Sequence, residues 1–436
     1  MRATAAADRP ITKPASLWRD PSFAAFWAAQ TVSSVGTQIS LVALPLVAVL
    51  TLDVDAASLG VLRFAEYLPF LLFTLLFGVW ADRWRRRPLM IASNAARAVL
   101  IGLVPLATAL GLLELPLLVV IAFVIGTCAA MFEVCWLSYV PSIVERDRLV
   151  EAMGKVSASH SAAEVAGPGL GGLLVQLVSA PFALVANSVA HAAAAMSLAT
   201  IRDSEPDPMA TPRRRRHLRG ELVEGLRFAF GDPYIRATAY TAALGNFFAL
   251  IVETVFLVYA VRERDLSPGL IGLTFSAVGI GGLLGASFAN ALTRRFPLGR
   301  FYVVARLVSG AGALLLPLAG GSTAMLVATC MVGFFIWQAA LANTNVINSS
   351  LRQALTPEHV RGRMNASVRT LVFGALPLGG LAGGALGSVI DLHTALWLGA
   401  IGYTLSVVPV LLSPLPRLRA FPEQPQAGRR EVPAAR

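Results

Sequence analysis

The sequence has few charged side chains and almost no lysine. Of its 436 residues 14% are charged and 56% are hydrophobic, and Lys13 and Lys155 are its only lysines. A soluble globular domain carries about 25% charged residues, so this composition excludes an ordinary soluble domain. It is typical of a chain that lies mostly within a lipid bilayer.

Cysteines and catalytic motifs are also scarce. No H-E-x-x-H or G-x-S-x-G motif occurs, and His160 with Glu164 offers two ligands where a catalytic zinc needs three. The pair Gly154-Lys155 is followed by valine and lacks a phosphate-binding loop. The three cysteines lie in apolar runs without the paired spacing of metal ligands: Cys128, Cys135 and Cys330. We therefore expect no enzyme, no ATP-driven pump, no metal and no cofactor.

Apolar runs recur along the chain at a length that fits a membrane. A helix needs about 20 mostly apolar residues to cross the hydrocarbon core, and twelve such runs lie between Phe26 and Leu412. They predict helices over residues 23–50, 58–81, 88–110, 115–139, 154–178, 182–201, 234–261, 268–292, 300–319, 323–350, 366–390 and 394–413. Membrane helices tolerate the glycines and prolines inside these runs. The predicted fold class is an all-α integral membrane protein with twelve transmembrane helices.

Arginine is distributed unevenly over the connections between these runs. The odd-numbered connections hold none before Arg262 and Arg264, whereas the even-numbered ones hold clusters such as 83–87 and 213–216. Because Lys and Arg in short loops stay in the cytoplasm, we expect both termini inside. Arginine-rich, lysine-poor usage indicates a GC-rich genome, hence a bacterial inner membrane. The net charge of +11 then serves topology and contact with anionic lipids rather than nucleic-acid binding.

A polar connection rich in proline and charge divides the chain into two halves of six runs each. The predicted parts are an N-terminal half, a cytoplasmic linker, a C-terminal half and a cytoplasmic tail, over residues 1–201, 202–233, 234–415 and 416–436. The halves resemble each other, since Met153 aligns with Met364 and Gly78 with Gly285, at separations of 211 and 207 residues. Parallel repeats of this kind build transporters whose halves rock about a site at their interface.

The connection between the second and third runs reads GVWADRWRRRP. It resembles the G-x-x-x-D-R-x-G-R-R loop of the major facilitator superfamily, although Arg85 stands at the second glycine. The matching residues are Gly78, Asp82, Arg83, Arg86 and Arg87. The resemblance implies a cytoplasmic gate, in which the acid meets a helix N-terminus of the other half, a contact worth roughly 0.3–1 kcal/mol, and the arginines bridge helix ends. Charge retention for topology alone is the alternative interpretation.

The fifth run contains the stretch GPGLGG. It resembles the G-P-x-x-G-G core of the superfamily's antiporter motif, although Ala163 stands at an intermediate glycine. The matching residues are Gly154, Gly167, Pro168, Gly171 and Gly172. A Gly-Pro pair frees a backbone carbonyl and lets the helix bend, and the flanking glycines permit close contact with a helix of the other half. The resemblance implies a kinked helix that accompanies export. A general small-residue packing face is the alternative.

Longer stretches, including WRDPSFAAFWAAQTVSSVG, VPSIVERDRLVEAMG and LTPEHVRGRMNAS, resemble the third drug:proton antiporter subfamily over almost the whole chain. The resemblance implies a monomeric secondary transporter that exports a hydrophobic or amphipathic molecule, such as a drug, macrolide or siderophore, in exchange for protons, with a role in antibiotic resistance. Lysophospholipid flipping and small-molecule import are alternatives within the same fold. The fourth-span arginine of other drug:proton antiporters is absent here, and Arg97 can serve instead.

Ionisable residues inside the runs are costly to bury and usually face a cavity, a partner or a proton path. In the superfamily's architecture the first, fourth, seventh and tenth helices line the cavity, which favours Glu133 and Glu253. Arg97 and Glu133 lie at similar depths, so a structural pair between them is an alternative. Glu253 has no evident partner, and a lone buried carboxylate can take up and release a proton. The proton-coupling candidates are Glu253, Glu133, Glu164 and Arg97.

Polar residues recur at helical spacing on three of these helices, and aromatic side chains accompany them. Such a mixture suits a sizeable amphipathic ligand, although the aromatic residues Phe334 and Trp337 can equally be packing residues. The predicted cavity-lining residues are Gln30, Ser34, Thr37, Asn246, Trp337, Gln338 and Asn345.

Overall fold

The computed structural model describes residues 16–202, 205 and 227–421, and most of them are helical. Within these ranges twelve helices are long and apolar enough to cross a membrane, as predicted. They are α1 Pro21–Leu46, which continues as a wider turn over Val47–Thr51, α2 Ala56–Arg83, α3 Arg86–Ala109, α4 Leu115–Ile143, α5 Leu149–Val178, α6 Ala180–Thr200, α7 Pro233–Arg262, α8 Pro268–Arg295, α9 Leu298–Leu318, α10 Thr323–Leu355, α11 Glu358–Val389 and α12 Leu392–Leu405. Short helical turns accompany them at Leu17–Arg19, Arg146–Arg148, Val408–Leu411 and Leu415–Arg417.

Several helices begin at an acidic cap because the first amide groups of a helix have no acceptor within it. Asp20 accepts a hydrogen bond from the amide of Ser22 at 2.8 Å, just before Pro21 opens α1. Asp55 accepts from the amide of Ser58 at 2.9 Å and caps α2. Hydrogen bonds from the side chain and the amide of Ser58 hold the pKa of the Asp55 carboxyl below its usual range. A proline in the first turn, as in α1, is compatible with a helix start.

The helices alternate in direction, so the connections alternate between two ends of the bundle. The start of α1 and the segment after α12 lie at the same end, which we call the terminal end, and the other is the opposite end. The amide of Gly299, in the first turn of α9, donates to the carbonyl of Leu418 at 2.9 Å and places the C-terminal segment there. The expectation that the terminal end is cytoplasmic remains a prediction.

The helices are longer at the terminal end than hydropathy predicts. Helix α5 begins at Leu149 rather than near 154, and α11 begins at Glu358 rather than near 366. The added turns carry polar and charged residues, such as Arg361 and Arg363. A count of apolar residues finds only the part inside the hydrocarbon, whereas the backbone hydrogen bonds of a helix continue beyond it.

The two sets of six helices, α1–α6 and α7–α12, meet along two pairs, α2 with α11 and α5 with α8. At the opposite end each pair crosses at facing glycines. A Cβ on Gly60 would lie 2.8 Å from the Cα of Gly384, and a Cβ on Gly172 would lie 2.8 Å from the Cα of Gly272. Because real Cβ atoms do not approach so closely, glycine at these points allows the two halves to touch through their backbones.

Candidate functional site

A cavity of about 290 Å³ lies between the two halves. It is walled by α1, α2 and α5 on one side and by α7, α8, α10 and α11 on the other. Its aromatic wall comes from Phe275 of α8 and from Phe334 and Trp337 of α10. The rings of Phe334 and Trp337 are stacked, with centroids 6.0 Å apart. Its polar lining comprises Gln38, Arg63, Glu164, Asn246, Glu253 and Gln338.

Arg63 and Glu253 bring opposite charges to this cavity from different halves. The Arg63 side chain is buried, with Nη1 2.9 Å from Oε2 of Glu66, and its Nε has no hydrogen-bond partner. Glu253 lies within electrostatic reach of Arg63. Among the described residues, none makes a hydrogen bond or an ion pair with the Glu253 carboxylate. Glu253 thus has no direct partner in this part of the chain, and Arg63 is the cation that acts on it from the other half.

Glu164 lines the cavity from α5 and lies next to His160, whose Nδ1 is 3.4 Å from the carboxylate. Pro168 follows Glu164 by four residues and has no amide hydrogen, so the Glu164 carbonyl loses its helical donor. A Cβ on Gly279 of α8 would lie 2.3 Å from that carbonyl oxygen. The backbone of the other half therefore packs directly on the carbonyl that the proline frees.

The glycines of the GPGLGG stretch divide between two neighbours. Gly167 and Gly171 pack on α1, where added Cβ atoms would meet Gln38 and Ile39 at 2.3 and 3.0 Å, whereas Gly172 faces α8 of the other half. The expected close contact with the other half is therefore made by Gly172 and by Gly169, where an added Cβ would lie 2.8 Å from the hydroxyl oxygen of Ser276 on α8. Gly154, at the terminal end of the same helix, would place a Cβ in open space.

Glu133 pairs with a residue that sequence reasoning missed. Its Oε1 lies 3.3 Å from Nη2 of Arg369 on α11, and its Oε2 accepts from the indole of Trp136 at 2.8 Å. Arg97 instead donates to the hydroxyl of Thr37 at 2.9 Å. The alternative interpretation, a structural pair between Arg97 and Glu133, is therefore wrong. The two side chains project toward different neighbours.

Three of the predicted cavity-lining residues line the cavity, namely Asn246, Trp337 and Gln338. The residues predicted on α1 do not, because Thr37 faces Arg97 of α3 and the wall is formed instead by its neighbour Gln38. Four predicted residues do not line the cavity: Gln30, Ser34, Thr37 and Asn345. Of these, Gln30 and Ser34 are buried and Asn345 is exposed.

In the connection between α2 and α3, Arg86 holds helix ends together. Its Nε donates to the carbonyl of Ala81 at 3.1 Å and its Nη1 to the carbonyl of Ser138 at 3.0 Å, so that it joins the ends of α2 and α4. The backbone amide of Arg86 donates to the carboxylate of Glu205 at 2.8 Å. Glu205 follows α6, is buried, and had no signal in the sequence beyond its place after the sixth run.

Arg87 forms the equivalent link to α6, where Nε donates to the carbonyl of Leu198 at 3.0 Å and Nη2 to that of Ala199 at 2.6 Å. Arg83 is exposed, and a Cβ on Gly78 would meet no described atom within 4 Å. The side chain of Asp82 lies outside the described residues. Gly78, like Gly154, therefore faces open space at the terminal end.

At the opposite end a charged contact joins the halves. Nη2 of Arg262, at the end of α7, lies 2.7 Å from Oδ1 of Asp53 and donates to the carbonyls of Asp53 and Val54, both at 3.0 Å. The same end holds the crossings of Gly60 and Gly172 with the other half. The halves are thus joined at the opposite end by both a charged contact and backbone crossings.

Comparison with known proteins relates this architecture to transporters. The model of a family described as transmembrane secretion effector matches residues 12–434. The multidrug efflux pump Tap of Mycolicibacterium fortuitum is 26% identical over 92% of this chain and 97% of its own length. Tap of Mycobacterium tuberculosis strain H37Rv is 24% identical over 94% and 96%.

Solved structures of transporters share the fold. A bacterial homologue of the iron transporter ferroportin, solved in an inward-facing state, has a TM-score of 0.71 at 19% identity and covers 91% of this chain and 98% of its own. The nucleoside transporter NupG has a TM-score of 0.73 at 12% identity, with coverage of 89% and 98%. Identities this low show the fold alone.

Proposed function

Because the chain belongs to the transmembrane secretion effector family of major facilitator transporters, we propose that it exports a hydrophobic or amphipathic small molecule in exchange for protons. The family and fold are those of transporters rather than enzymes. Export is supported by the likeness to the Tap efflux pumps, and the natural setting is the inner membrane of a bacterium with the terminal end in the cytoplasm.

One observation carries the proposal: a cavity shared by both halves combines an aromatic wall with two carboxylates and a buried arginine. Phe334 and Trp337 offer flat apolar surface to a ligand, whereas Gln38, Asn246 and Gln338 offer hydrogen bonds that orient it. A site built at the interface of two repeats is accessible from alternate sides as the halves rock. The described conformation, joined at the opposite end, receives substrate from the terminal end.

The arrangement of Glu253 and Arg63 supports proton exchange. Protonation of Glu253 removes its attraction to Arg63 across the halves, and loss of the proton restores it. A cationic or polar substrate in the cavity competes with the proton for the same carboxylate, so binding of one favours release of the other. Glu164 lines the same cavity and is the second carboxylate of this exchange.

The experiment is proton-coupled efflux in everted vesicles, with a panel of macrolides, siderophores and dyes, comparing wild type with Glu253→Gln. Glu263→Gln is the matched control, since Glu263 is an exposed carboxylate one residue beyond the end of α7. We expect substrate-dependent dissipation of the proton gradient in wild type and control, and its loss in Glu253→Gln.

Two results would count against the proposal at different levels. Coupling that survives in Glu253→Gln would transfer the proton-carrying role to Glu164 or Glu133, with export retained. No substrate-linked proton movement for any compound would overturn proton exchange, and transbilayer movement of a labelled lysophospholipid would then be the next assay.

A further inference from the structure

The terminal ends of α3 and α9 occupy equivalent places in the two halves. In the N-terminal half, the chain that follows α6 returns to α3, where the carboxylate of Glu205 accepts from the amides of Arg86 and Arg87 at 2.8 and 3.3 Å. In the C-terminal half, the segment after α12 returns to α9 in the same way. There, however, backbone carbonyls of that segment take the place of the carboxylate.

The carbonyls of Leu418 and Arg419 accept from the amides of Gly299 and Leu298 at 2.9 and 3.2 Å. The first turn of α9 is therefore satisfied without an acidic side chain. The same docking brings the arginines of the C-terminal segment next to those that end α8. An open pocket of about 1000 Å³ lies between them, and its basic lining comprises Arg294, Arg295, Arg300, Arg417 and Arg419.

No Asp or Glu lines this pocket in the described part of the chain. None of the five guanidinium groups makes an ion pair or a hydrogen bond with another described residue, whereas Arg86 in the N-terminal half lies 3.7 Å from the Glu205 carboxylate. Five like charges converging without a counterion repel one another. The N-terminal half thus carries its own anion, whereas the described residues supply none to the C-terminal pocket.

The rest of the lining fits a ligand that lies at the membrane surface. Phe296 is 48% exposed and stacked on Phe301, and Phe421 is 39% exposed. Phe296 directly follows the end of α8, where a membrane helix reaches the headgroup region. The guanidinium group of an arginine donates two parallel hydrogen bonds to the oxygens of a phosphate. Basic pockets between membrane helices accommodate anionic lipid headgroups.

We propose that this pocket binds a phosphate-bearing anion, supplied by the headgroup of an anionic phospholipid. The arginines of α8 and of the C-terminal segment grip the phosphate from two sides, and the exposed phenylalanines contact the adjoining glycerol and acyl region. A lipid bound there fastens the C-terminal segment to the start of α9.

The test is native mass spectrometry of the delipidated chain in detergent, titrated with phosphatidylglycerol, cardiolipin, phosphatidylethanolamine or glycerol 3-phosphate. Two variants each remove charges from one side of the pocket, Arg417→Gln/Arg419→Gln and Arg294→Gln/Arg295→Gln. The control Arg146→Gln/Arg148→Gln removes two charges from the terminal end of the N-terminal half. From about 1 kcal/mol per arginine near a lipid surface, we expect affinity for the anionic lipids to fall by about 30-fold in each pocket variant, with the control unchanged.

A third variant, Arg419→Glu, supplies the missing acid from within the chain. We expect phosphatidylglycerol to raise the thermal unfolding midpoint of wild type, by binding the folded state, and to leave that of Arg419→Glu unchanged. The lipid-free midpoint of each variant shows whether it is folded.

If the pocket variants and the control lose equal affinity for the anionic lipids, the lipids are attracted by the general positive charge of the chain, and the proposed pocket is overturned. Glycerol 3-phosphate binding as tightly as the lipids would assign the site to free phosphate and overturn the lipid. Unchanged lipid affinity in folded pocket variants would overturn both. None of these outcomes depends on substrate export or proton exchange, so the proposed function is tested separately.

Discussion

Glu133 and Arg369 form an ion pair between the two halves, with 3.3 Å between Oε1 and Nη2. They lie 236 positions apart in sequence, on α4 and α11, about one third of each helix length from the terminal end. Arg369 also lies over the ring of Phe373, with 5.2 Å from its guanidinium carbon to the ring centroid. The pair lies nearer to the terminal end than the contact between Arg262 and Asp53 does.

Breaking this pair weakens the coupling between the halves. The two side chains are 39% and 32% exposed, so solvent screening limits the pair to about 0.2–1 kcal/mol. We expect Arg369→Gln to lower efflux by up to about 5-fold, the rate equivalent of 1 kcal/mol, and the charge exchange Glu133→Arg/Arg369→Glu to restore part of it. A double-mutant cycle on initial efflux rates measures the coupling. Additive effects of the two single substitutions would show that the residues act independently.

The crossing of α5 and α8 depends on glycine. A methyl group at Gly172 would lie 2.4 Å from the carbonyl oxygen of Pro268, so Gly172→Ala must push the helices apart at a cost of about 1–3 kcal/mol. We expect a lower thermal unfolding midpoint and a wider α5–α8 separation at the opposite end, measured between spin labels. Gly154→Ala is the control on the same helix, since its methyl group enters open space. Equal shifts in both variants would contradict this account.

Arg262 contacts Asp53 through an ion pair with the carboxylate and through hydrogen bonds to backbone carbonyls. The first is the ionic part of the contact and the second its neutral part. Asp53→Asn removes only the ionic part, and it keeps the backbone because asparagine tolerates the φ of 48° at this position. Arg262→Gln also removes the hydrogen bonds to the carbonyls of Asp53 and Val54. We therefore expect Arg262→Gln to open the opposite end more than Asp53→Asn, as measured by labelling of a cysteine introduced in the cavity. The effect of Asp53→Asn should shrink at high salt, because the 91% exposed carboxylate is screened.

Arg306 is a buried cation that depends on neutral partners. It is 3% exposed, and its Nη1 donates to the hydroxyl of Tyr403 at 3.1 Å, while that hydroxyl also lies 2.9 Å from the hydroxyl of Ser309. Tyr403→Phe leaves the guanidinium short of an acceptor, at a cost of about 1–3 kcal/mol. We expect a lower unfolding midpoint than in Tyr240→Phe, where the tyrosine is 42% exposed. A midpoint equal to that of the control would show that Arg306 finds another acceptor.

Much of the fold can be read from the sequence because the cost of burying backbone and charge in lipid leaves few alternatives. Twelve apolar runs gave the twelve helices, and the facing of Gly172 with the other half followed from small residues at helical spacing. The helix ends were placed less well, since polar turns beyond the hydrocarbon carry no hydropathy signal.

The pairing of charges could not be predicted. Depth along the membrane is one coordinate, and it placed Arg97 and Glu133 at the same level without specifying the direction in which each side chain projects. The partner of Glu133 is Arg369, on a helix that lies far away in sequence. Likewise Gln38 rather than Thr37 faces the cavity, because a rotation of about 100° per residue separates neighbours on a helix.

The cavity volume of about 290 Å³ is at the lower end of the range of about 300–1,000 Å³ for small-molecule sites. A compact compound fits among Glu253, Glu164 and the aromatic wall. A bulky one must extend beyond this lining, and we expect it to reach Glu133 and Arg369 toward the terminal end. We therefore expect molecular size to decide which charges a compound meets, and the loss of efflux in Arg369→Gln to be greater for large compounds than for small ones.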